Sequence, residues 1–205
     1  MMSGLSKSAG VVAAAILAIA TLGCQAGAGH SSGAAPIPAQ DIARILDQAE
    51  ASAKKVESLL RVDPSGKKQT CRMHIMIVDR DGDVVGQRSM PDAWVGSISI
   101  AKAKAFTALA FSSNENALTT RSLGPLTQPG GPLWNIGNSN RKTGLIEFPG
   151  GMPLYRGTEL IGGIGVSGDG VDQDEEVAAA GAKGYEAPKG IRIDTVTKNG
   201  VPYTK

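Results

Sequence analysis

Apolar positions along the chain fall into three regimes. Val11 to Ala20 is an unbroken apolar run. Gln25 to Pro38 is mostly Gly, Ala, Ser and Pro, with one His. From Ile42 onward the apolar residues become periodic, and the period switches between helix and strand spacing. Ile42, Ile45, Leu46, Ala49, Ala53, Val56, Leu59 and Leu60 keep to helical spacing, while Arg44, Asp47, Glu50, Lys54, Lys55 and Glu57 fill the other faces. This predicts an amphipathic helix of about five to six turns, ended at Asp63-Pro64-Ser65-Gly66.

A strand pattern follows. Met73, Ile75 and Ile77 point to one face, and His74, Met76 and Val78 to the other. Both faces are largely apolar, which predicts a central strand. Asp81-Gly82 predicts a hairpin into a second strand, Val84 to Met90. The Ala-rich stretch Ser97 to Phe111 reads as a helix with Ser97 or Ser99 as N-cap. A shorter helix over Asn114 to Ser122 is expected next. Leu123 to Asn140 is a loop of a length that is often functional. A strand at Gly144 to Phe148 is broken by Pro149-Gly150-Gly151. Met152 to Tyr155 and Glu159 to Val166 then form a hairpin around Arg156-Gly157. A helix over Val171 to Ala182 and a weaker hairpin around Asn199-Gly200 complete the chain. Hairpins dominate. The expected fold is a single α/β (α+β) domain: a mainly antiparallel sheet of about five strands with helices packed against it.

Composition refines the picture. A chain of 205 residues with 41% hydrophobic and 20% charged residues is ordinary globular material for one domain. The net charge of +2 and the 4% aromatic content lack the basic field and stacking surface that nucleic acid requires. Residues 1–24 read as an export signal, with Lys7 before an apolar run too short to span a bilayer. Thr21-Leu22-Gly23-Cys24 resembles a lipoprotein cleavage box, which makes Cys24 the lipidation site and the membrane a partner through a lipid anchor. Soluble secretion, with cleavage at Ala18-Ile19-Ala20 or Ala26-Gly27-Ala28, is the rival reading. Either way the protein is expected in the cell envelope, the periplasm or outside the cell. Residues 25–38 form a flexible tether, 39–184 the domain and 185–205 a C-terminal extension. Cys71 is left alone if Cys24 is lipidated; otherwise a bridge between the two is open.

Several segments carry a family resemblance in the right order. Ser97 to Ala108 looks like the central helix of the GlcG/HbpS family, and Pro129-Gly130-Gly131-Pro132-Leu133 resembles its Gly-rich loop. Phe148-Pro149-Gly150-Gly151-Met152-Pro153-Leu154 and Ile161-Gly162-Gly163-Ile164-Gly165-Val166-Ser167-Gly168, followed by Asp172-Gln173-Asp174, are similar to its remaining signatures. The resemblance covers about Ile42 to Gly184. It implies an antiparallel α/β fold, self-assembly, and haem or a related tetrapyrrole as ligand. Haem degradation, oxidative-stress sensing and corrinoid handling also occur among such proteins, so an enzyme accessory and an envelope assembly protein are the alternative functions.

Candidate site residues follow from chemistry. Gly150, Gly151, Ser167 and Gly168 bring backbone N–H groups near a helix start and are candidates to hold a propionate; tight-turn geometry is the competing role. Lys104 on the central helix is a candidate to pair with a ligand carboxylate. Arg121 and Arg141 flank the long loop and are candidates to clamp an anion. His74, flanked by apolar residues, and His30 in the tether are the two histidines available as iron ligands. Asp169, Asp172, Asp174, Glu175 and Glu176 read as a solvated helix start that complements the helix dipole. No catalytic motif with a nucleophile–base pair is present.

Overall fold

The computed structural model describes residues 35–136, 144–197 and 200–205. The expected signal at residues 1–24 with Cys24, residues 25–34 of the expected tether with His30, and Arg141 lie outside the described residues. Among the described residues there are six strands and five α-helices: α1 (Ala39–Ala53), β1 (Glu57–Val62), β2 (Lys68–Thr70), β3 (His74–Asp79), β4 (Val84–Ser89), α2 (Ser97–Ala110), α3 (Thr120–Leu123), β5 (Gly151–Arg156), β6 (Glu159–Ser167), α4 (Val171–Gly181) and α5 (Ile193–Val196). The main sheet has four strands in the order β4-β3-β6-β5, every pair antiparallel. A separate pair, β1-β2, stands beside it.

Burial on both faces of β3 gives a three-layer core. Met73, Ile75 and Ile77 join Ile45, Leu46 and Ala49 of α1 and Val177 and Ala178 of α4 in one cluster. Met76 and Val78 join Ala101, Ala105 and Leu109 of α2 in a second. The Ala-rich composition of α2 has a steric reason. A Cβ on Gly165 of β6 would lie 2.0 Å from the Ala101 carbonyl oxygen, and one on Gly163 would lie 2.4 Å from that of Ala105. Helix backbone therefore rests directly on strand backbone, and only small residues fit between them.

Four expectations change. The first helix ends at Ala53, and Val56, Leu59 and Leu60 do not extend it. Leu59 and Leu60 lie on β1 and are exposed. Asp169 overrides the helical spacing there: its Oδ1 accepts from the Leu59 backbone N–H at 2.7 Å, and its other oxygen accepts from the Ser58 hydroxyl. Residue 96, a glycine, is the N-cap of α2 with no side-chain cap, in place of Ser97 or Ser99. The helix expected over 114–122 is only α3, opened by a capping box between Thr119 and Ser122. Gly144 to Phe148 forms no strand; it is held instead by the Ile146 N–H on Thr107 Oγ1 at 2.9 Å.

The extension is packed, not frayed. Residues 198–199, at the expected hairpin turn, lie outside the described residues, and 200–205 form no strand. Val201 and Tyr203 are buried, and Tyr203 belongs to the α2-side cluster. Among the described residues, no helix is long and apolar enough to cross a membrane.

Candidate functional site

One end of the main sheet carries a pocket. There Ser167 closes β6 opposite His74 on β3, α2 begins, and the turn Gly168 to Gly170 leads into α4. The pocket has a volume of about 280 Å³. Its walls are Leu60, Trp94, Ile100, Phe148 and Val171, and its polar groups are Arg61, Ser97, Ser167, Asp169, Lys104 and Asp174. Leu60, Trp94, Phe148 and Val171 are 67%, 61%, 53% and 44% exposed. Four large apolar side chains are thus left open around one concavity.

The floor is an ion pair. Lys104 Nζ donates to Asp174 Oδ2 at 2.7 Å and to the Val166 carbonyl at 3.0 Å. The two side chains are 1% and 3% exposed. Asp174 Oδ1 accepts the Asp169 backbone N–H at 3.1 Å. Burial pushes the Asp174 carboxyl up to about 6 against the pull of the Lys104 charge. Burial likewise lowers Lys104, and the Asp174 charge opposes that shift. Lys104 is thus paired with a carboxylate of its own chain, and two of its three N–H donors are taken.

Asp174 is 2% exposed and Glu175 4%, so these two members of the acidic run are buried, while Glu176 at the same helix start is exposed. The side chain missed in the sequence was the partner of Lys104. Both residues were visible in the motifs, but nothing in their spacing, 70 positions apart, joined them.

The glycines support this floor more than they face the pocket. Gly150 has φ +117°, and a Cβ there would lie 2.9 Å from Asp174 Cβ and 3.0 Å from Lys104 Nζ. A Cβ on Gly151 would meet the Lys104 carbonyl oxygen at 2.4 Å. Its N–H donates to Thr120 Oγ1 at 2.8 Å. Ser167 and Gly168 do line the pocket.

His74 is buried beneath the Trp94 turn. Nε2 lies 3.1 Å from the Trp94 carbonyl and Nδ1 2.8 Å from Ser89 Oγ. A carbonyl only accepts, so Nε2 donates to Trp94, while Nδ1 meets the Ser89 hydroxyl. Both nitrogens are engaged within the protein.

Arg121 stands apart from the pocket. Its Nε donates to Glu175 Oε2 at 2.7 Å and an Nη to Asp172 Oδ1 at 2.6 Å. The anions it clamps are those of α4. Arg61 is the cation on the pocket rim. It donates to the Asp92 carbonyl and forms no ion pair among the described residues.

Cys71 is fully buried, and burial pushes its thiol up to about 12. Among the described residues, no group of three or more His, Cys, Asp or Glu is placed to hold a metal ion.

Comparison with known proteins agrees with this architecture. Residues 37–183 match the family model described as "Haem degrading protein HbpS-like". The corrinoid adenosyltransferase PduO of Salmonella typhimurium is 36% identical over 104 residues, 51% of this chain and 29% of that protein. The chain therefore spans less than a third of the PduO relatives it matches. A Citrobacter freundii protein of 15.0 kDa from the dhaT-dhaS intergenic region is 32% identical over 50% of this chain and 68% of its own. A crystal structure of a PduOC–haem complex superposes with a TM-score of 0.60 at 26% identity, covering 75% of this chain and 98% of that one.

Proposed function

The chain belongs to the HbpS-like family, and from that premise we propose that it binds haem or a related tetrapyrrole in the pocket beneath Trp94. The observation that carries the reading is the ring of exposed apolar side chains, Leu60, Trp94, Phe148 and Val171, around a concavity with Arg61 at its rim. A tetrapyrrole is a flat apolar ring with carboxylates at one edge. The walls suit the ring, and the Arg61 guanidinium suits a carboxylate. At about 280 Å³ the cavity is open and small, so part of the ring stays outside this chain. A second copy covering that part accords with self-assembly, which belongs to the same proposal.

The fit does not extend to iron. Among the described residues, no His, Met, Cys or Tyr lines the pocket, and both His74 nitrogens are occupied. Affinity then rests on the ring and its acid edge, not on an axial bond. Haem, if bound, supplies its own redox chemistry; these residues hold and orient it. Iron-free protoporphyrin IX is therefore expected to bind within about threefold of haemin. The test is parallel fluorescence-quenching and absorbance titrations of the full chain. Binding of haemin alone, or haemin binding lost in His74→Ala with the fold intact, would sink the reading.

Location is part of the proposal. The apolar run and the Cys24 box support export and a lipid anchor. Cys24→Ala is expected to shift the protein from the membrane fraction to the soluble one. Unchanged membrane retention in that variant would remove the anchor.

A further inference from the structure

The residues beyond 183 lie outside the family match, yet they build a second cavity. The extension is strapped to the domain: the Thr119 hydroxyl donates to the Tyr203 carbonyl, and Ser122 Oγ donates to that of Pro202 at 3.0 Å. Lys205 N–H reaches Glu175 Oε2 at 3.1 Å. Between strap and domain is a cavity of about 320 Å³. Met152, Pro153, Ala179 and Ala182 give it an apolar wall; Glu186, Arg192 and Tyr203 of the extension give it charge and a phenol.

Arg192 is held in place from two sides. Its Nε donates to the Ala187 carbonyl at 3.0 Å, and its guanidinium carbon lies 5.0 Å from the centre of the Tyr203 ring. Its terminal nitrogens have no acceptor among the described residues. A guanidinium fixed at Nε and stacked on an aromatic face is a fork pre-set for a carboxylate.

Glu186 lines the same cavity. One of its oxygens accepts the Gly184 N–H at 2.8 Å, and the other has no partner among the described residues. Arg192 and Glu186 do not pair with each other. Two opposite charges that face one apolar-walled cavity without meeting complement a zwitterion better than an anion or a cation alone.

We propose that this cavity is a binding site for a small apolar α-amino acid. The carboxylate sits on the Arg192 fork, the ammonium faces Glu186, and the side chain lies against Met152 and Pro153. A volume of about 320 Å³ is at the small end of ligand pockets, typically ~300–1,000 Å³. The site is independent of the Trp94 pocket and of what that pocket holds.

The test is a calorimetric titration of the full chain with L-valine, isovalerate and isobutylamine. The last two each lack one of the two charges. L-Valine is expected to bind saturably at one per chain, with the other two about tenfold weaker or worse. Arg192→Gln abolishes valine binding and leaves haemin binding at its wild-type level. Glu186→Gln, a change at an exposed side chain that keeps the fold, weakens valine about tenfold but not isovalerate. Absence of saturable valine binding overturns the proposal, as does isovalerate binding equal to valine. So does valine affinity unchanged in folded Arg192→Gln or in Glu186→Gln.

Discussion

Replacing Lys104 with methionine is expected to lower the unfolding free energy by about 3–5 kcal/mol, because it leaves the Asp174 carboxylate buried without its counter-ion. Methionine keeps most of the side-chain volume, so the loss is chiefly electrostatic and not that of a cavity. Adding Asp174→Leu to the same chain is expected to restore most of the stability, since two apolar side chains then replace two desolvated charges. Urea unfolding of the four proteins in the double-mutant cycle measures the coupling. A loss below about 1 kcal/mol in the single variant would show that the pair does not form in solution.

The pH dependence has a definite sign. Burial already pushes the Asp174 carboxyl up to about 6 with Lys104 present, and without that cation it rises further. The folded variant then holds a proton that the unfolded chain has released. Its stability on this account is fullest below the unfolded carboxyl pKa and is lost as pH rises through the folded one. The deficit of Lys104→Met is therefore smallest near the acid end, about pH 4, and grows above about pH 6.

Tyr203→Ala is expected to cost about 3–5 kcal/mol, the usual loss on deleting a buried aromatic ring. Tyr203 is 6% exposed and packs with Tyr155, Leu160, Ala117 and Ala187 over the α2 face of the sheet. The change removes that cover and the ring that holds Arg192 in place. For a chain of this size the loss appears as a fall of roughly 6–20 °C in thermal midpoint. A fall of less than about 2 °C would mean that the extension is not docked in solution. Because Tyr203 lies beyond the family match, its loss would show a stability this chain adds to the shared domain.

The sheet was legible because its signals are local. Alternation through Met73 to Val78, the Asp81-Gly82 turn and the Arg156-Gly157 turn each lie within one hairpin, and the structure places them as read. The Ala-rich run to Phe111 was legible for the same reason. The β1 segment was not, because what makes it a strand is Asp169, about a hundred residues away, taking Ser58 and Leu59. The site was half legible. Lys104, Ser167 and Gly168 were singled out by motif and do line the pocket. Arg61, Trp94, Phe148 and Asp174 were not, because each comes from a different element and only the fold gathers them. Phe148 lay within a quoted motif, and Trp94 in a turn between elements, so an exposed aromatic beside a motif is the signal that was available. Arg121 was read as open to a ligand and Asp172 and Glu175 as solvated, but the fold makes these two carboxylates the partners of Arg121.

The reading of the Trp94 pocket is tested most directly by haemin titration of the full chain, followed in the Soret region, with Arg61→Glu and Trp94→Ala measured alongside. The wild-type chain is expected to saturate near one haemin per chain with a Kd of about 1 μM or tighter. Arg61→Glu sets a carboxylate against the propionate edge and Trp94→Ala removes one wall, so each is expected to weaken binding about tenfold or more. Neither change touches the His74 contact, which is to the backbone carbonyl of residue 94. A wild-type chain with no saturable shift, or two variants that bind haemin as well as it does, would contradict the assignment of the ligand to this pocket.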